Sequence, residues 1–264
     1  MTNDRHWRAV AASVAGSNHV LNGTSPTGCQ DRWAVEFLED AAVIAVADGA
    51  GSAKYGGLGA ELAVEAACAM AKELLVRAPT SGERWHDLLR THATETSTKH
   101  QEAVDSLRPH LGARSEAFST TLSVAFLRPP WVGYWAIGDC FVVLRSAFGL
   151  ISLLAEPHRF GDVESTTHFL SPANVEAASR IQTEVAWLAD LDSVAIASDG
   201  LWDATVDAHP FEAGRRVPLT STYAKIFDHA KTTRSLSELH ELLVGPFESR
   251  SGDDKTIVVC TRNG

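Results

Sequence analysis

The sequence predicts an α+β fold built on antiparallel strands. Three observations carry this expectation. Short apolar runs recur through the chain and are joined by tight turns. Two long helical patterns interrupt the strands only once, between residues 58 and 107. Strands and helices do not alternate regularly, so the parallel sheet of a βαβ chain is not expected.

The elements follow in order. Residues 7–17 are small and apolar, as in a first strand. Residues 18–30, rich in Gly, Ser, Thr and Pro, form a loop. Residues 33–38 and 41–47 read as strands of a hairpin turned by Glu39-Asp40. A glycine-rich turn over 49–59 leads into a helix over 58–77, whose apolar stripe includes Leu62, Cys68 and Leu75. Pro79 and Gly82 break it, and a second helix over 83–107 stops before Pro109. Residues 120–126, 131–137, 141–145 and 150–154 read as an antiparallel meander. Residues 155–181 are polar and aperiodic, with a short helix expected at 175–180; a flap is expected over 155–182. Strands return at 185–188 and 194–198, helices at 221–230 and 236–243, and a last strand at 256–260.

The chain has 264 residues, 45% of them apolar, which suits a globular protein. No repeat or long linker divides it, so 1–264 reads as a single domain. The formal net charge of -10 argues against nucleic acid and anionic membranes as partners. The first residues lack the apolar core of a signal peptide, and no run approaches the ~20 apolar residues that span a bilayer. Cys29, Cys68, Cys140 and Cys260 lie far apart without CxxC spacing and read as reduced thiols of a cytoplasmic protein.

Carboxylates at strand ends are the most informative feature. Asp48, Asp139 and Asp199 each end an apolar run, whereas Asp253-Asp254 precede one. Taken singly, each has an ordinary reading as a turn residue, and Asp203 as a helix-start acid. Taken together on neighbouring strands they would repel, by roughly 4 kcal/mol per pair at about 4 Å and an effective dielectric near 20. Cations between them would relieve that repulsion, and all-oxygen ligands suit Mg²⁺ or Mn²⁺. Gly49 leaves its own carbonyl open to a cation. The loop lacks the Gly-Lys-Ser/Thr ending of a phosphate-binding P-loop. Trp202 reads as a packing residue, and Gln30-Asp31 places another carboxylate just before a strand.

The order of these segments resembles the metal-dependent serine/threonine protein phosphatases, the PPM or type 2C family, over nearly the whole chain. Gly28-Cys29-Gln30-Asp31, Val46-Ala47-Asp48-Gly49-Ala50-Gly51-Ser52, Phe118-Ser119-Thr120-Thr121, Ile137-Gly138-Asp139-Cys140, Ile196-Ala197-Ser198-Asp199-Gly200-Leu201-Trp202-Asp203 and Asp253-Asp254-Lys255-Thr256 carry it. Gly16-Ser17-Asn18-His19 and Gly51-Ser52-Ala53-Lys54 resemble a compact bacterial branch. The resemblance implies a four-layer α-β-β-α sandwich with two central antiparallel sheets. It implies two Mn²⁺ or Mg²⁺ ions bridged by Asp48, with Asp199 and Asp253 on one, and the Gly49 carbonyl and Asp31 on the other. Asp139 with Asp199 would hold an optional third ion. The substrate implied is a phosphorylated protein, made by a cognate serine/threonine kinase.

Departures from the family pattern leave two roles open. A phosphate-binding arginine common in relatives is Pro26 here, and the Asn of the early element is Cys29. The His that follows Asp-Gly in many eukaryotic relatives is Ala50. His19, Arg32 and Lys54 are candidates for the substrate phosphate, each beside a plain surface role. The register at the chain's end is also open between Asp253 and Asp254. The reaction implied is attack of an activated water on phosphorus without a covalent enzyme intermediate. The rival reading is a phosphatase-like binding module that recognises a partner without turnover.

Overall fold

The computed structural model describes residues 7–17, 28–76, 79–157, 167–171, 180–208, 212, 215–232, 237–245, 247 and 250–262. The elements are β1 (Trp7–Val14), β2 (Arg32–Leu38), β3 (Ala41–Ala47), α1 (Gly56–Val76), α2 (Gly82–Leu107), β4 (Leu122–Arg128), β5 (Trp131–Ile137), β6 (Phe141–Ser146), β7 (Ile151–Ala155), β8 (Gln182–Trp187) and β9 (Leu191–Ala197). They continue with α3 (Trp202–Thr205), β10 (Val206–Ala208), β11 (Arg216–Pro218), α4 (Thr220–Thr232), α5 (Ser237–Val244) and β12 (Lys255–Arg262).

Two five-stranded sheets form, in the orders β2-β3-β4-β5-β8 and β1-β12-β9-β6-β7. Every pairing within them is antiparallel. Strand β3 shows why they stack. Ala41, Val43, Ala45 and Ala47 point to α1 and α2, whereas Ala42, Ile44 and Val46 point to the other sheet. All seven are fully buried, so this strand is apolar throughout instead of alternating. On the outer face of the second sheet, Val143, Ala195, Ile257 and Val259 pack with Tyr223 and Phe227 of α4 and Leu239 and Leu243 of α5. Helix, sheet, sheet and helix are therefore the four layers.

The expected meander does not run through one sheet. β4 and β5 pair in the first sheet, and β6 and β7 pair in the second. Between β5 and β6 the chain crosses through Gly138-Asp139. Gly138 has φ of +130°, and a Cβ there would lie 2.5 Å from the Cβ of Thr121. Only glycine fits this crossing without strain. Strand periodicity is local and does not reveal which sheet a strand joins.

Helix α1 turns inward a stripe that includes the expected Cys68 and Leu75 but is made mostly of alanine. Ala60, Ala63, Val64, Ala67, Ala71 and Leu75 are buried, and Leu62 is half-buried. The alanine face lets α1 approach β2 and β3 closely. Helix α2 buries His92 and His100, which the apolar pattern did not mark. Trp135 donates its indole N–H to His92 Nδ1 (2.9 Å), and His92 Nε2 meets the Ala67 carbonyl (3.0 Å). Burial pulls both imidazoles down to about 4, so they are neutral near pH 7.

The short pair β10–β11 carries too few residues for a periodic signal. The helix expected at 175–180 lies outside the described residues. Within the expected 155–182 flap, residues 167–171 are packed: Leu170 is 5% exposed, and its N–H donates to the Thr120 carbonyl (2.8 Å). Among the described residues no helix is long and apolar enough to cross a membrane.

Candidate metal centre

Both sheets bring their carboxylate-bearing ends to the same edge. Asp48 follows β3, Asp139 joins β5 to β6, Asp199 follows β9 and Asp253 precedes β12. All four line one cleft of ≈ 300 Å³, together with Ala50, Ser52, Thr121, Thr167 and Phe169. Neither Thr167 nor Phe169 carried a signal in sequence, because their segment is polar and aperiodic.

The Asp48 loop is fastened by the residues just before β4. The Thr121 N–H donates to the Asp48 carbonyl (2.8 Å), and the Asp48 N–H donates to Thr121 Oγ1 (2.9 Å). The Thr120 hydroxyl also donates to the Asp48 carbonyl (2.9 Å), and the Ala50 N–H to the Ser119 carbonyl (3.0 Å). Gly49 packs so tightly that a Cβ would lie 2.5 Å from the Gly56 carbonyl carbon. Glycine at 49 is therefore required by packing alone, whatever its carbonyl binds. With its amide nitrogen facing this loop, Gln30 donates to the carbonyls of Gly49 (3.0 Å) and Ala50 (3.1 Å).

The electrostatics of this edge are those of crowded, desolvated anions. Burial raises Asp48 well above the ordinary carboxylate range, and Asp31, Asp199, Asp139 and Asp253 raise it further. Asp31 is 2% exposed and is pushed up to about 7, first by burial and then by Asp254. The Ser198 and Thr256 hydroxyls lie close enough to favour its anion. Neither makes a well-directed hydrogen bond to it: both Asp31 carboxylate oxygens are buried without such a partner. Thr256 Oγ1 donates instead to Ser13 Oγ (2.7 Å). Unsatisfied carboxylate oxygens beside a ring of like charges fit hard divalent cations bound through oxygen.

Asp253 and Asp254 are separated by their surroundings. Asp253 lines the cleft. Asp254 is 2% exposed, and its oxygens accept the N–H groups of Gly16 (2.8 Å) and Gln30 (2.6 Å). Cys29, Asp31 and Asp254 also group closely, with donor atoms within 4.8 Å of one another. Burial, Asp31 and Asp254 push the Cys29 thiol up, away from the thiolate. Arg32 turns its guanidinium to the carbonyls of Cys29 (2.9 Å) and Asp31 (2.8 Å), next to Glu61 (3.9 Å). The Lys54 ammonium lies 4.9 Å from the Tyr55 ring centroid. Neither Arg32 nor Lys54 is among the residues lining the cleft. His19 lies outside the described residues. Trp202 is 7% exposed and packs edge-on against Phe141 at 5.1 Å.

Comparison with known proteins decides the family. A family profile described as Protein phosphatase 2C matches residues 15–244. The chain belongs to the protein phosphatase 2C family. It is thereby an enzyme of the serine/threonine protein phosphatase class. This 2C-family chain is 29% identical over 272 residues to Serine/threonine-protein phosphatase 3 of Escherichia coli (strain K12), covering 96% of the chain and 98% of that relative. It is similar in structure to the catalytic domain of serine threonine protein phosphatase PstP in complex with 2 manganese ions. That likeness has a TM-score of 0.61 and 16% identity, over 98% of this chain and 99% of that catalytic domain. Serine/threonine phosphatase Stp1 from Staphylococcus aureus gives a TM-score of 0.60 and 13% identity, over 97% of this chain and 95% of Stp1. These neighbours share the two antiparallel sheets flanked by helices.

Proposed function

We propose that residues 1–264 act as one phosphatase domain that hydrolyses phosphoserine and phosphothreonine esters on proteins, using two Mn²⁺ or Mg²⁺ ions. The observation that carries this reading is a half-buried Asp48 that lines a cleft with Asp139, Asp199 and Asp253 and feels the charge of Asp31 beside it. Asp48 would bridge the two ions, Asp199 and Asp253 would hold one, and the Gly49 carbonyl with Asp31 would hold the other. Asp139 and Asp199 would take a third. Bound there, the ions would offset the phosphate's charge and lower the pKa of a water that serves as nucleophile.

The chain's own part is to hold the carboxylates before substrate arrives. Asp48 and Thr121 exchange two hydrogen bonds through the Asp48 main chain, so the backbone that carries the Asp48 carboxylate is fixed before substrate arrives. Asp254 ties the loop before β12 to Gly16 and Gln30, and so carries Asp253 into the cleft. Arg32 is engaged with two carbonyls, so this reading keeps His19 and the exposed Lys54 as the candidate cations for the substrate phosphate. Cys29, with its thiol pushed up, is a poor nucleophile. The chain's four cysteines, none in a disulfide, suit the reducing cytoplasm, where a kinase would supply the phosphorylated substrate.

The test is hydrolysis of p-nitrophenyl phosphate and of phosphoserine and phosphothreonine peptides after EDTA treatment, then with Mn²⁺ or Mg²⁺ restored. Turnover should vanish and return. Full turnover by the stripped protein refutes the metal reading, and binding of phosphopeptide without turnover in Mn²⁺ favours the binding module.

A further inference from the structure

Thr167 is joined to the site by a contact that nothing in its own segment foretells. Its hydroxyl donates to Asp139 Oδ2 at 3.0 Å, and both residues line the cleft. Its place is set by a neighbour three residues on. Leu170 is buried with Leu122 and Ile137 under α1 and α2, and its N–H donates to the Thr120 carbonyl. Thr120 is the residue whose hydroxyl donates to the Asp48 carbonyl. Thr167 is thus held by the same short stretch that fastens the Asp48 loop.

Asp139 stands where no strand ladder holds it. It stands on the crossing between sheets, after a glycine and outside both β5 and β6. A carboxylate has about four acceptor positions, and a hydroxyl on Oδ2 occupies one of them. The donor fixes the plane in which the carboxylate points. Partners of this kind commonly change metal affinity or activity by 10- to 100-fold when removed.

We propose that Thr167 is a positioning residue of the active site, setting the Asp139 carboxylate toward Asp199 and making the 167–171 segment part of the catalytic cleft. The proposal rests on the phosphatase reading and adds a residue to it. Thr167→Val removes the hydroxyl at nearly constant shape. On a phosphopeptide it should lower kcat by about tenfold with KM unchanged, and raise the Mn²⁺ concentration needed for half-maximal rate. Thr167→Ser should restore both. In an Asp139→Ala background the valine should cost nothing further, because the two residues act as one unit.

A segment-packing role would instead give additive losses and a lower melting temperature. Should Thr167→Val fail to fold, Thr167→Ala enters the same cycle. Wild-type kcat in the variant, or additive losses in the double mutant, overturns the proposal. An inactive wild type in Mn²⁺ is a different result: the phosphatase reading itself fails, and this inference with it.

Discussion

Among single residues, the two adjacent aspartates at the end of the chain divide the work between chemistry and structure. Asp253 faces the cleft, whereas Asp254 accepts two main-chain N–H groups from residues more than 200 positions away. Asp253→Asn should abolish phosphopeptide turnover while leaving urea stability near wild type. Asp254→Asn places an amide donor against an N–H donor, and should lower stability by about 1–3 kcal/mol. The two variants are compared by turnover per folded molecule and by urea midpoint. A dead Asp254→Asn of normal stability beside an active Asp253→Asn would reverse the assignment. From sequence alone both acids precede the same strand by one or two residues, and spacing does not separate them.

At the scale of elements, the crossing between β5 and β6 does most to assemble the site. It carries the chain from one sheet to the other and sets Asp139 down at the shared edge. Gly138→Ala should strain a backbone at φ +130° and push a methyl group into Thr121. A loss of about 1–3 kcal/mol is expected in equilibrium unfolding. Because Thr121 also holds Asp48, the Mn²⁺ concentration for half-maximal rate should rise in the same variant. Unchanged stability would show that the crossing relaxes and that Gly138 is not required there. The strands on either side were legible as apolar runs. Their membership of different sheets was not, since both pairs are antiparallel hairpins of similar length.

For the whole molecule, the carboxylate edge links metal, protons and stability. Asp31 and Asp48 have raised values in the fold, so without metal the native state keeps protons that the unfolded chain has lost. Stability contributed by these groups therefore falls as pH rises from the unfolded carboxylate range, near 4, toward about 7. His92 and His100 are lowered to about 4, and act in the opposite sense between 6.5 and 4. Cations must displace the carboxylate protons, whereas the histidines are untouched by metal. The rise in Tm on adding a fixed Mn²⁺ concentration should thus grow from pH 5 to about 7 and then level. In Asp48→Asn the rise should disappear, and the metal-free Tm should equal or exceed that of wild type because one of the crowded carboxylates is gone. A pH-independent Mn²⁺ shift, or one retained in Asp48→Asn, would count against a carboxylate-bound centre.

What the sequence determined by itself was the inventory. It placed most strands and long helices, because apolar periodicity follows from which faces each element buries. It singled out Asp48, Asp139, Asp199 and the Asp253-Asp254 pair, because a charged residue ending or preceding an apolar run is costly without a purpose. Residues that tune those carboxylates were less visible. Thr167 sits in an aperiodic segment, and His92 and His100 look like ordinary polar positions of a helix. Tertiary structure alone decided the split of β4–β7 between two sheets, the burial of Asp31 and Asp254, and the meeting of Thr167 with Asp139. The physical reason is range. Periodicity and turn chemistry act over a few residues, whereas a hydrogen bond such as Gly16 N–H to Asp254 closes 238 positions of chain and exists only when the layers have packed.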